Sequence, residues 1–303
     1  MILKDKLKKF VFAFVMAFVV PLCLLQLFPD NPTLDTEKDS QALPQQIPVL
    51  LDTGMVQLMD LETYVGHVLA AEMPLSFSPE ALKAQAVLAR TYACKRVKLS
   101  DKHDRGSICT DPTCCQGYDE SEPAEIVINA VAQTKGQVLT YNGELIDATY
   151  FSCSGGMTED ACEVWGTDIP YLKSVESKGE EKTKHYVTTV HMSKGEFAQA
   201  LGISGELSGN MFIQNISYTN GGGIKTAEIG GITFTGVELR SMLGLKSTAI
   251  TVSVADENIS ITTRGYGHRV GMSQYGANAM AIEGSDYIEI LQYYFCDVLL
   301  EEY

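Results

Sequence analysis

The feature that most restricts how this 303-residue chain can fold is a pair of helical patterns separated by a short break at residues 73–77. Leu61, Tyr64, Val65, Val68 and Leu69 recur at helical spacing, and the pattern stops at Pro74, whose ring pushes the residue before it out of helical backbone. Ser78-Pro79 then opens a second helix, with Ser as N-cap and Pro at the first helical position. That helix is predicted to run to about Leu99, with Leu82, Ala86, Ala89 and Ala93 on one face. The break therefore places Glu72 on the last turn of the first helix, beside the start of the second. In Leu69-Ala70-Ala71-Glu72-Met73-Pro74, apolar neighbours predict a desolvated carboxylate with a raised pKa, suited to general acid work. A carboxylate paired with Lys or Arg, or capping backbone, is the bland alternative for the same residue.

The remaining pattern predicts an α+β domain, helices mixed with antiparallel strands, in one large domain or as two lobes around a cleft. Residues 48–60 alternate loosely as strand, 123–134 read as helix, and Asn142-Gly143 joins strands at 138–141 and 144–151. Further strands are predicted at 186–190, 212–218, 250–254 and 259–263. Ser193 with Glu196 and Thr235 with Glu238 read as capping boxes, and helices close the chain at 273–282 and 287–295. At the other end, Lys4, Lys6, Lys8 and Lys9 precede an uncharged run, Phe10 to Phe28, long enough to cross a bilayer as a helix. No Ala-x-Ala follows it, so an anchor is favoured over a cleaved signal peptide. The expected organisation is a cytoplasmic tail at 1–9, a transmembrane anchor at 10–29, a polar linker at 30–46 and a folded domain at 47–303. The protein is thus expected in the cell membrane, single-pass, with its domain outside.

A formal charge of −15 argues against a nucleic-acid partner, which needs a clustered basic footprint. His103, Cys109, Cys114 and Cys115 lie within one loop and can supply a closed tetrahedral set for one structural zinc ion. Disulfide pairing is the alternative there, and a Cys153–Cys162 bond is conceivable. Two loops rich in small residues complete the inventory. Residues 265–277 pack four glycines with His268, Ser273, Gln274 and Tyr275, and 152–156 place Ser154 after a strand. Such loops let backbone approach a ligand while side chains offer hydrogen bonds and stacking faces, as sugar binding requires. Ser154, Arg264, His268, Gln274 and Tyr275 are the candidate substrate-binding residues. Ser154 with His268 also raises a serine-hydrolase reading, against which no Gly-x-Ser-x-Gly elbow is present.

The segments Leu61 to Pro74, Glu80 to Ala93 and Gly265 to Ala277 together resemble the stage II sporulation protein D family. The resemblance implies a peptidoglycan lytic transglycosylase that faces the cell wall during engulfment in spore-forming bacteria. Its substrate would be glycan strands stripped of stem peptides, cut between MurNAc and GlcNAc to leave 1,6-anhydro ends. The implied partners are an amidase or endopeptidase and membrane proteins of the engulfment complex. Sister members are amidase enhancers, so a non-catalytic activator is the second function expected. The family's catalytic glutamate lies in an Ala-Glu-Met-Pro motif that is intact around Glu72. Clostridial-type members hold zinc in the loop matching His103, Cys109 and Cys115, with Cys114 where His is expected. Arg269 stands at the middle glycine of the family's Gly-His-Gly-Val-Gly motif, and Cys153 stands where small hydroxyl residues are usual.

Overall fold

The computed structural model describes residues 42–204, 207 and 212–303. The expected transmembrane helix and single-pass membrane localisation are corrected here. Among the described residues no helix is long and apolar enough to cross a membrane, and the expected span at 10–29 lies outside them, as do the 1–9 tail and most of the linker. The longest described helix, Pro79–Leu99, carries Lys83, Arg90, Lys95, Arg96 and Lys98, too many charges for a lipid environment.

The chain enters the domain as a hairpin, β1 (Gln46–Leu50) and β2 (Val56–Asp60), where the sequence had suggested one strand. Asp52-Thr53-Gly54 supplies the turn: Leu51 N–H donates to the Met55 carbonyl at 2.9 Å, and Gly54 takes φ +80°. Helix α1 (Leu61–Glu72) follows at once, capped by the Asp60 carboxylate on Thr63 N–H at 2.9 Å. It buries the predicted face, and Met73 is extended at φ −120°, ψ 133°, as the residue before Pro74 must be. Helix α2 (Pro79–Leu99) is buried on nearly every side in its first four turns, because alanines at 81, 84, 86, 89 and 93 let neighbours approach closely. Truncating Leu82 or Leu88 at its centre should cost about 2–5 kcal/mol.

Strand β3 (Ile108–Cys109) runs parallel to β1, and α3 (Glu125–Gln133) packs on α1 and α2. Strands β4 (Gln137–Tyr141) and β5 (Glu144–Leu145) form the predicted Asn142-Gly143 hairpin, with both turn residues at positive φ. The second arm breaks at residue 146 and resumes as β6 (Tyr150–Phe151), and α4 (Ala161–Trp165) is a short helix absent from the sequence reading. The chain then builds a second hydrophobic core around Phe197, Phe212, Ile224, Leu239, Ile259 and Ile261. Its elements are β7 (Val187–Ser193), α5 (Lys194–Ala200), β8 (Ile213–Tyr218), β9 (Ile224–Ile229), β10 (Ile232–Thr235), α6 (Gly236–Met242), β11 (Ala249–Ala255) and β12 (Asn258–Arg264). Both predicted capping boxes are formed, at Ser193/Glu196 and Thr235/Glu238. The sheets run β10-β9-β8 and β11-β12-β7, all antiparallel.

The chain returns to the first core as β13 (Met272–Ser273), α7 (Gln274–Ile282), α8 (Tyr287–Tyr294) and β14 (Leu299–Glu302), the last pairing with β4. From Leu43 to Tyr303 the architecture is one unit of α+β type with two hydrophobic cores. Two short parallel pairings depart from the antiparallel expectation. One of them, β6 with β13, sets Tyr150 opposite Met272 and Phe151 opposite Ser273. Together with a Cys153–Tyr266 bridge, it brings the two small-residue loops side by side.

Candidate functional site

Glu72 ends α1 half-buried, and its Oε1 accepts the Gly117 N–H at 2.7 Å. Burial pushes its carboxyl above the ordinary range, against the Gly117 hydrogen bond and the weaker influence of the nearby Gln274 and Tyr150 side chains, which favour the charged form. The Tyr150 hydroxyl is itself fixed by Gln116 Nε2 at 3.1 Å, and Gln116 Oε1 accepts from Tyr64 at 3.2 Å. Gln274 is buried and close enough to act on Glu72, yet its Nε2 has no partner of normal hydrogen-bond geometry. A buried donor without a partner is costly, so this amide is available to a ligand at the carboxylate.

Tyr275, next along α7, meets Phe77 edge-on at 5.0 Å and His185 at 5.7 Å between ring centroids. His185 in turn lies 5.2 Å from Tyr266. A row of rings therefore leads away from Glu72 along the loop seam. His268 contacts Phe151 at 5.6 Å and the exposed Trp165 at 5.5 Å. Burial, with the Arg240 charge beside it, pushes His268 down to about 4. The ring is thus neutral, and because Nδ1 accepts Val270 N–H at 3.1 Å, Nε2 carries the proton. Arg264 is exposed at the end of β12.

Ser154 is placed differently from the other candidates. It is fully buried, and its hydroxyl donates to Glu180 at 2.9 Å rather than to His268, which removes the serine-hydrolase arrangement. Glu180, which the sequence did not single out, is a buried hub. Its carboxylate accepts from Cys153 Sγ at 2.9 Å, Ser154 N–H at 2.7 Å, Gly155 N–H at 3.1 Å, and the Ser177 and Ser273 hydroxyls at 2.6 Å each. Ser273 also caps α7 through Gly276 N–H at 3.2 Å, so Glu180 fixes the helix start that presents Gln274 and Tyr275. Gly276 is required here, since a Cβ would stand 2.1 Å from both Ser177 Oγ and Tyr294 Oη. Cys153 and Cys162 are both free thiols, so the conceivable disulfide between them is not formed. Burial and the Glu180 charge push the Cys153 thiol up to about 12.

Arg269 occupies a left-handed backbone position, φ +65°, that favours glycine. Its buried guanidinium offsets the strain by pairing with Glu159 at 3.0 Å and donating to the carbonyls of Ser154 at 2.8 Å, Met157 at 2.8 Å and Gly221 at 2.6 Å. Gly221 belongs to the β8–β9 turn, so this side chain ties the loop seam to the second core.

His103, Cys109, Cys114 and Cys115 present ligand atoms that all lie within 4.8 Å of one another. His103 Nε2 stands 3.4 Å from Cys114 Sγ and 3.6 Å from Cys115 Sγ, and the two sulfurs are 3.9 Å apart. Edges of about 3.5–3.8 Å follow from tetrahedral zinc with ordinary Zn–S and Zn–N bonds, so the donor set and its spacing fit that ion. Asp111 shapes the turn, its carbonyl accepting Cys114 N–H at 3.0 Å and Cys115 N–H at 2.8 Å. The next two residues are Gln116 and Gly117, the partners of Tyr150 and Glu72. The cysteine loop thus buttresses the carboxylate directly.

Residues 52–141 match the family described as SpoIID: Stage II sporulation protein. The chain is similar to Stage II sporulation protein D of Bacillus subtilis (strain 168), 39% identical over 280 residues, which cover 86% of this chain and 80% of that protein. It is also similar to the protein of the same name from Bacillus amyloliquefaciens, 37% identical over 286 residues covering 89% and 83%. A Bacillus subtilis (strain 168) protein called Amidase enhancer is 33% identical over 293 residues, 78% of this chain but 40% of that protein. Taken with the intact motif around Glu72, the loop seam and the cysteine loop, these likenesses establish that the chain belongs to the stage II sporulation protein D family.

Proposed function

We propose that this domain is a peptidoglycan lytic transglycosylase acting in sporulation, with Glu72 as its one acid/base group. The carrying observation is a carboxylate raised by burial at the head of a ring-lined seam. The groups that act on it are Gly117, Gln274 and Tyr150, none of them acidic. Protonated Glu72 gives its proton to the glycosidic oxygen as the MurNAc C1–O bond breaks. The developing oxocarbenium ion is stabilised by the sugar's own acetamido group and by polar groups of the seam. The Glu72 carboxylate then takes the proton of the muramyl 6-hydroxyl while O6 bonds to C1, giving a 1,6-anhydro end without water. Gln274 and Tyr275 contact sugar beside Glu72, with Arg264 further along; His268, held between Val270 N–H and the Tyr150 backbone, acts as a positioning residue. Ser154 acts through Glu180, as a positioning residue. Zinc held by His103, Cys109, Cys114 and Cys115 would cross-link the loop that carries Gly117, with no coordination position open for catalysis.

A second reading, activation of a peptidoglycan amidase, is favoured by the likeness to the protein called Amidase enhancer. It needs the seam but not the Glu72 proton. Soluble glycan release from labelled, peptide-free strands separates the two. Release by wild type that Glu72→Gln abolishes supports the enzyme; no release by either protein, with amidase stimulation intact in both, supports the activator.

A further inference from the structure

We propose that Lys184, Lys246 and Arg264 form a subsite for the free lactyl carboxylate of a peptide-stripped muramyl residue. This deepens the glycan-cleaving reading of Glu72 and rests on it.

The chain is strongly acidic overall, yet unpaired cations gather at one end of the ring row. Lys246 Nζ sits over the Tyr266 ring, 4.5 Å from its centroid, and the Lys246 carbonyl accepts Gly267 N–H at 3.0 Å. Lys184 precedes His185, and both lysines act on that imidazole, which burial first pushes down. Arg264 ends β12 opposite Val187 of β7, and the following Gly265 N–H donates to the Tyr186 carbonyl at 2.9 Å. None of the three cations enters an ion pair among the described residues, although Lys83, Arg90, Lys95, Arg96, Lys173 and Arg269 all do. Glu181 bears on Tyr186 from the same segment and pairs with none of them.

The rings Tyr275, His185 and Tyr266 connect this cluster to Gln274 and Glu72 at centroid spacings of 5.7 and 5.2 Å. Ring faces suit the apolar faces of sugars. A carboxylate would therefore meet the cations while its sugar lies on the row. Muramic acid carries such a group on its lactyl ether once the stem peptide is removed; with the peptide in place that carbon is a neutral amide. Local positive charge in a negative molecule also steers an anion towards this end.

The test uses the Glu72→Gln protein, which binds without turnover, and three probes: a peptide-free GlcNAc-MurNAc tetrasaccharide, its lactyl methyl ester and chitotetraose. Calorimetry at low salt is expected to show the acid binding roughly tenfold tighter than the ester, in keeping with two or three exposed charge pairs. The difference should shrink in high salt. Adding Lys184→Ala and Lys246→Met, the latter keeping the stem over Tyr266, should remove most of the difference between acid and ester while chitotetraose affinity holds. Equal affinity for acid and ester in the parent overturns the subsite. So does a parallel loss of acid and chitotetraose binding in the lysine variant. Failure of all three probes to bind overturns the glycan reading itself, and only that outcome touches it.

Discussion

Glu72 and Glu180 are a half-buried and a fully buried carboxylate of one domain, and they are treated in opposite ways. Glu180 is fully buried and encircled by donors from three segments, the 153–155 loop, Ser177 and Ser273. Glu72 keeps one close donor, Gly117 N–H, with Tyr150 acting on it more weakly, and its neighbour Gln274 is left with an unused amide. Burial without full hydrogen bonding raises a carboxyl's pKa and leaves its proton transferable, whereas a saturated carboxylate is fixed in place. Donor supply, more than burial, separates the group fit for chemistry from the one fit for architecture.

Glu72→Gln should lower glycan release about 10²- to 10⁴-fold, the span of general acid–base catalysis, with the melting temperature kept within a few degrees; loss of fold instead of activity would reverse the roles. Glu180→Ala should cost about 3–5 kcal/mol in urea unfolding, since buried donors lose their common acceptor. An unchanged midpoint there would make the hub dispensable. Between the two lies the cysteine loop: with zinc supplied in excess, His103→Ala should lose about 2–3 kcal/mol of the metal-linked stability seen in wild type. Because Gly117 follows this loop, nuclear magnetic resonance titration of Glu72 should also shift in that variant. An unmoved Glu72 titration would uncouple loop and carboxylate.

The smallest effect concerns pH. A carboxyl raised in the folded state binds its proton more tightly there than when unfolded, so its contribution is fully present below the unfolded pKa and lost as pH rises through the folded value. Glu72→Gln should therefore gain about 1–2 °C over wild type on going from acid to neutral pH. A gap that closes with rising pH would contradict a raised Glu72.

Local signals carried much of this fold. Pro74, Ser78-Pro79, Asn142-Gly143 and the two capping boxes each act within a few residues, and each lies where the sequence put it. The β9–β10 hairpin was missed although Gly230-Gly231 between apolar residues is a turn signal of the same kind. Glu180 was illegible for another reason: its donors come from positions as distant as 153 and 273, and no local pattern joins them. Gly117 and Tyr150 escaped in the same way. Arg269 read as a departure from a glycine motif, and only the fold shows Glu159 and Gly221 waiting for its guanidinium.

Mass spectrometry of the products from peptide-free glycan strands, made with wild type and Glu72→Gln in parallel, tests the role of Glu72 directly. A lytic transglycosylase acting through Glu72 gives 1,6-anhydro-muramyl ends from wild type and none from Glu72→Gln. Reducing muramyl ends from wild type, or anhydro ends that persist in Glu72→Gln, would contradict it.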